Sequence, residues 1–156
     1  MTNLLKRGSI AVVGAAESDL GQVAPHTSPV DLMAQATMRA LDDCGLTLKD
    51  VDALYVAATQ VRIGPMSLAE YLRIKPKVFD GTQIGGSSFM THVAHAQMAI
   101  QLGLCEVAVI AYGSTQRSVS RAAASPREFN PYESPYRPIL PISAYAMAAA
   151  RHMHQY

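Results

Sequence analysis

GGSSFMTHVAHAQMAIQLGL, residues 85–104, decides how this 156-residue chain is read. Two glycines and two serines give way to apolar residues on every side, Phe89, Val93, Ala96 and Ile100 among them. A helix that is apolar all round has no face to offer water, so the pattern predicts a central, buried helix. Residues 106–113 (EVAVIAYG) follow as an apolar strand, and a buried helix feeding such a strand is the unit of a parallel α/β sheet.

Upstream the same alternation continues. Residues 51–58 (VDALYVAA) read as another buried strand, residues 67–73 as a short helix, and residues 78–82, just past Pro76, as a brief strand. Ser28-Pro29-Val30-Asp31 opens a longer helix. Serine caps it, proline takes the first helical position and Asp31 supports the exposed amides as in a capping box. Val30, Met33, Ala34 and Leu41 share one broad face, and the helix is expected to stop at Gly45. Residues 9–16 (SIAVVGAA) form a continuous apolar run, the pattern of a first strand covered on both faces. Right-handed crossovers between parallel strands place helices on both sides of the sheet. After Gly113 the composition changes. Pro126, Pro131, Pro135, Pro138 and Pro141 punctuate a segment that also carries Tyr132, Tyr136, Arg127 and Arg137, which suits a surface excursion and not a sheet interior. Residues 143–156 return to helical composition.

The bulk numbers exclude several classes of function. Apolar residues make up 49% and charged residues 16%, so part of the surface is expected to be interface. A formal charge of +1, with no dense run of Lys or Arg, gives no field for gathering nucleic acid or an anionic membrane. Cys44 and Cys105 are too few for a disulfide framework or a metal cluster and read as buried, structural thiols in a reducing compartment. The first residues lack the apolar stretch of a signal peptide, and no later run is long enough to span a bilayer. The expectation is a soluble, cytoplasmic protein.

Ile10-Ala11-Val12-Val13-Gly14, the capped helix at Ser28, the strand ALYVAA and the block GGSSFMTHVAHAQMAIQLGLCEVAVIAYGS together resemble the N-terminal part of the thiolase superfamily. The likeness is greatest to the lipid-transfer-protein and sterol-carrier branch and covers nearly the whole chain. It implies an α/β, thiolase-like fold: a first repeat over residues 1–118 with a mixed, mostly parallel sheet and a central buried helix, then part of the inserted loop domain over residues 119–156. It also implies a second repeat, which the sequence does not contain.

In that family a cysteine at the start of the buried helix is acylated from an acyl-CoA. The helix N-terminus, with its free amides and positive potential, lowers a thiol's pKa toward the reactive thiolate. Counting back from Ala99-Ile100-Gln101-Leu102-Gly103, which resembles the end of that helix, the nucleophile position falls at Gly86, which has nothing to acylate. Ser87 and Ser88 are adjacent. As nucleophiles they need a paired base that this stretch does not reveal, and helix capping is their plainer role. A glycine there resembles a cysteine-free subgroup that breaks carbon–carbon bonds of β-hydroxyacyl-CoA compounds by retro-aldol cleavage, so the resemblance implies such a lyase, or a noncanonical acyltransferase, in lipid and steroid side-chain breakdown. That chemistry needs a base and enolate-stabilising donors but no acyl-enzyme.

The resemblance further implies a coenzyme A thioester as substrate, no covalently bound cofactor, a homodimer joined through the strand at residues 78–82, and a small acyl-CoA-binding partner protein. Arg117, Arg121 and Arg137, with Arg127, are candidates for coenzyme A phosphates, against the plainer reading as solvated surface groups. His92 and His95 lie three apart on the buried helix. With no carboxylate nearby in sequence they make a poor metal site, and no metal is expected. Two alternatives to an enzyme part stand beside this reading: a non-catalytic acyl-CoA-binding or dimerisation fragment, and a truncated or proteolysed chain of a longer enzyme. By itself the chain is expected to be inactive.

Overall fold

The computed structural model describes residues 6–119, 131–136 and 141–156. Expectations that rest on Arg121, Pro126, Arg127, Arg137 and Pro138 lie outside the described residues. The chain divides into two compact units, Met1–Pro126 and Arg127–Tyr156.

In the first unit, α1 (Pro29–Asp43) begins as its sequence dictates. Ser28 accepts a hydrogen bond from the Asp31 amide, the Asp31 carboxylate accepts from the Ser28 amide, and Pro29 opens the first turn. The helix closes at Cys44, with Gly45 at φ +71°. Next come β1 (Ala53–Val56), α2 (Gly64–Leu72), β2 (Val78–Asp80), α3 (Ser88–Gln101), β3 (Ala108–Ala111) and the four-residue α4 (Gln116–Val119). From α1 to β3 the expected elements are found with shorter bounds, except that α2 starts three residues ahead of Ser67, where Pro65 suits a first turn.

The described sheet has three strands in the order β2-β1-β3, all parallel. Ala53 sits opposite both Val78 and Ala108, which fixes the register on each side of β1. Because side chains alternate along a strand, β1 divides the core in two. Leu54 and Val56 face one cluster with Met33 and Ala34 of α1 and Leu68, Ala69 and Leu72 of α2. Ala53 and Tyr55 face the other, with Ala96 and Ala99 of α3 and Cys105. Helices thus cover both faces, and β1 is buried throughout.

Two expectations need correction. Residues 9–16 form no strand: Val12 is 82% and Val13 63% exposed. The run is held by side chains instead of a ladder. Gln101 donates to the Lys6 carbonyl, the Ala15 amide donates to the Asp43 carboxylate, and Arg39 bonds the Glu17 carbonyl and pairs with Asp19. An apolar run marks a strand only where a sheet edge and a covering layer receive it, and neither does so here. Nor is α3 buried all round. Ser88, His92, Ala96 and Ala99 are buried, while Met90 is 72% exposed. Its inner face packs on the sheet and its outer face has no cover among the described residues.

In the second unit, a short 3-10 turn (Ser134–Tyr136) precedes α5 (Ile142–Gln155), the helix expected over residues 143–156. His152 and Tyr156 stack near its end with ring centroids 4.9 Å apart.

Candidate functional site

Parallel strands all end on one side of a sheet, and ligands of such sheets gather beyond those carboxyl ends. The connection from β2 to α3 crosses that edge and carries Gly85 and Gly86. Gly85 sits at φ +74°, a backbone that only glycine takes without strain, and Ile84 bridges to Gly86. Gly86 lies two residues ahead of α3. A Cβ built on it meets nothing within 4 Å, so the position opens into free space.

The two serines part company. Ser87 is the exposed N-cap of α3, with φ −77° and ψ −8°, and its side chain makes no capping bond. Ser88 is fully buried. Its hydroxyl donates to the Gly85 carbonyl at 2.7 Å and accepts from the Ile84 amide at 2.9 Å. Side-chain capping, the expected role for both, therefore fails for Ser87. In Ser88 it becomes a clasp on the preceding loop.

His92 and His95 extend the same α3 face. The Thr82 carbonyl can only accept, so Nε2–H of the fully buried His92 donates to it at 2.9 Å, and Nδ1 is left buried without a partner among the described residues. The ring lies against Tyr55 at 5.8 Å and meets Phe89 edge-on at 6.2 Å, while Phe89 in turn meets Tyr112 at 5.4 Å. His95 Nδ1–H donates to the Asp80 carboxylate at 2.5 Å, and the other Asp80 oxygen accepts from the Thr82 amide at 2.7 Å. Burial works to raise the Asp80 pKa, but the bonds from His95 and Thr82 outweigh it and leave the carboxyl below its ordinary value. The expectation that no carboxylate lies near the two histidines is thus overturned for His95. Even so, no group of three or more metal-ligating side chains occurs among the described residues.

Cys105 follows the far end of α3 from Gly86. Burial first, then the Asp52 carboxylate, push its thiol above the ordinary value, so neither position nor charge state makes it a stand-in nucleophile. Burial first, then Cys105 and Asp80, push the Tyr55 phenol up to about 12. Arg117 stands exposed on α4. Two grooves flank the β2 exit. One of about 330 Å³ is lined by Val56, Ile63, Phe79, Arg62 and Gln83. Another of about 240 Å³ is lined by Tyr55, Asp80, His95, Met98 and Leu104. Sequence reasoning did not select Asp80, Thr82 or Arg62. The one signal available was the spacing of Ser88, His92 and His95 at i, i+4 and i+7, which places them on a single helix face.

No family model matches the chain. It is 28% identical over 159 residues to 17-hydroxy-3-oxo-4-pregnene-20-carboxyl-CoA lyase of Mycobacterium tuberculosis, a match covering 94% of this chain and 40% of the lyase. Among solved structures, a chain of the Ltp2-ChsH2(DUF35) aldolase superposes with a TM-score of 0.59 at 26% identity, over 94% of this chain and 40% of that one. A monomeric SCP2-thiolase-like protein type 1 from Mycobacterium smegmatis gives 0.51 at 23% identity, over 63% of this chain and 22% of its own. The 3-oxoacyl-[acyl-carrier-protein] synthase III of Aquifex aeolicus VF5 also gives 0.51, at 19% identity over 62% and 32%. The last two likenesses concern the fold alone. The chain spans about 40% of the length of the lyase and of the aldolase chain.

Proposed function

From the premise that this chain is thiolase-like, with the fold of the thiolase superfamily, we propose that it is the N-terminal part of an acyl-CoA carbon–carbon lyase of lipid or steroid side-chain breakdown. In the reaction a base takes the proton of a β-hydroxyl, the bond between the α- and β-carbons breaks, and the β-carbon becomes a ketone. The electron pair passes into a thioester enolate, which a proton at the α-carbon converts to the shortened acyl-CoA. None of these steps needs a nucleophilic side chain at the head of α3. The observation that carries the reading is Gly86: a side-chain-free position at the carboxyl edge of the sheet, with open space in front of it. In this reading the second repeat supplies the base and the enolate-binding donors, as in a full-length member of the superfamily.

The substrate is a coenzyme A thioester, with Arg117, Arg121 and Arg137 offered to its phosphates and no cofactor bound covalently. The homodimer uses the outer edge of β2, an edge strand of the described sheet whose Phe79 is 41% exposed. A small acyl-CoA-binding partner protein is supported by the pairing of Ltp2 with ChsH2 in the aldolase. No described helix is long and apolar enough to cross a membrane.

The test incubates the full-length protein, second repeat included, with a CoA thioester bearing a tertiary β-hydroxyl and follows ketone release by chromatography and acylation by intact mass. Ketone without an acyl adduct supports the lyase; an acylated chain overturns it. Tight binding of the thioester with neither outcome favours the second reading, a non-catalytic acyl-CoA-binding or dimerisation fragment. The uncovered outer face of α3, where Met90 is exposed, argues for that alternative.

A further inference from the structure

We infer that His92 and His95 are positioning residues: through Thr82 and Asp80 they set the loop carrying Gly85 and Gly86 against the head of α3. The inference rests on the reading of Gly86 as the reacting edge and deepens it. Three α3 side chains at i, i+4 and i+7 each hold a different point of the same short loop. Ser88 fastens Ile84 and Gly85, His92 fastens the Thr82 carbonyl, and His95 fastens Asp80, whose second oxygen holds the Thr82 amide. Both peptide groups of Thr82 are therefore fixed from one helix face, three residues before Gly85. Packing alone does not account for the pattern. An apolar residue at position 92 would fill the space beside Tyr55 and Phe89 without leaving an unpartnered buried nitrogen. That nitrogen is the cost of a hydrogen bond to the loop carbonyl. The aim of the loop decides how squarely the free amides at the head of α3 meet an anion or enolate formed in front of Gly86.

The test reads that aim without requiring turnover, so it can fail while the lyase reading stands, and the reverse. A reporter variant, Gly86→Cys, places a thiol in the open space, and its alkylation is followed against pH by peptide mass, apart from Cys44 and Cys105. In this background His95→Ala and His92→Ala are each expected to slow alkylation near neutral pH about two- to fourfold and to move the profile toward that of an ordinary cysteine. His95→Asn keeps a donor near the Nδ1 position and His92→Gln one near the Nε2 position, and both are expected to restore most of the reporter's profile. Met90→Ala, on the exposed face, leaves it unmoved. Thermal melts run alongside. The inference is overturned if the alanine variants melt lower but keep the reporter's profile, since that is a merely structural role. It is also overturned if the alanine variants do not fold and the Asn and Gln variants fold without recovering the profile.

Discussion

Gly85 and Gly86 look interchangeable in sequence, yet the backbone assigns them opposite tolerances, and cysteine placed at each position in turn exposes the difference. At Gly86 the new Cβ meets nothing within 4 Å and φ lies outside the left-handed region, so the substitution narrows the unfolded ensemble without native strain and adds about 0.4–1 kcal/mol of stability. At Gly85, with φ +74°, a side chain forces the left-handed conformation and costs about 1–2 kcal/mol. The chemistry should differ as well. A thiol at the head of α3 gains about 0.3–1 kcal/mol for its anion from the helix terminus. At about 1.4 kcal/mol per pKa unit, this lowers the thiol by about 0.2–0.7. Urea unfolding gives the two stabilities, and iodoacetamide labelling across pH 6–10, read by peptide mass, gives the thiolate profile. Gly86→Cys should label below the ordinary cysteine range, while buried Cys105, held above it, should label last. If Gly86→Cys is the less stable of the pair, or its thiol titrates above an ordinary cysteine, then Gly86 does not stand at an open, anion-friendly helix end and the functional reading falls with it.

Other substitutions probe the scaffold. Ser28→Ala removes the capping bond of α1 and should cost about 1 kcal/mol in urea unfolding, whereas Ser28→Asn should cost little. A Cβ on Gly113 would lie 2.3 Å from the Pro29 carbonyl oxygen and 2.8 Å from the Met33 side chain, so Gly113→Ala should destabilise by about 1–3 kcal/mol. The Tyr55 hydroxyl is buried without a partner, so Tyr55→Phe should be neutral or stabilising by urea midpoint, and a clear loss would mean that the hydroxyl is satisfied in solution. Asp31 is depressed chiefly by the Tyr71 hydroxyl and then by Ser28, while Asp52 and Asp80 are depressed by hydrogen bonds that outweigh their burial. Depressed carboxyls contribute stability above their unfolded value near 4 and lose it as pH falls through the folded value. The urea midpoint should therefore hold from pH 7 to 5 and fall below about pH 4, less steeply in Asp80→Asn.

The fold was legible wherever local chemistry and burial point the same way. Ser28-Pro29-Val30-Asp31 specified α1 because capping is a contact of neighbours, and ALYVAA specified β1 because a strand covered on both faces needs no alternation. The candidate site was legible only in part. Gly86 could be placed by counting along α3, but the partners of Ser88, His92 and His95 are loop atoms and a carboxylate that approach only once β2 and α3 pack. No spacing in the sequence announces Asp80 or the carbonyl of Thr82. Two imidazoles on one helix face are all the sequence displays of the histidine pair, too little for a metal site and silent on any partner. The fold gave each a separate hydrogen-bonding task.

The two overturned expectations share one physical cause. Apolar patterning reports how much surface a segment must bury and says nothing of which chain covers it. Residues 9–16 are tied to Gln101 at the end of α3 through Ser9 and to Asp43 at the end of α1 through Ala15, yet Val12 and Val13 stay in water, and Met90 and Leu102 do the same on α3 and at its C-cap. At about 25 cal/mol per Å² such exposure is a standing drive toward association. These bare segments are apolar surface that a further layer would cover. The edge proposed to be functional lies at the head of the same helix. Under that proposal, covering α3 and completing the chemistry in front of Gly86 are one structural event, and conditions that cover that helix should switch on the reaction.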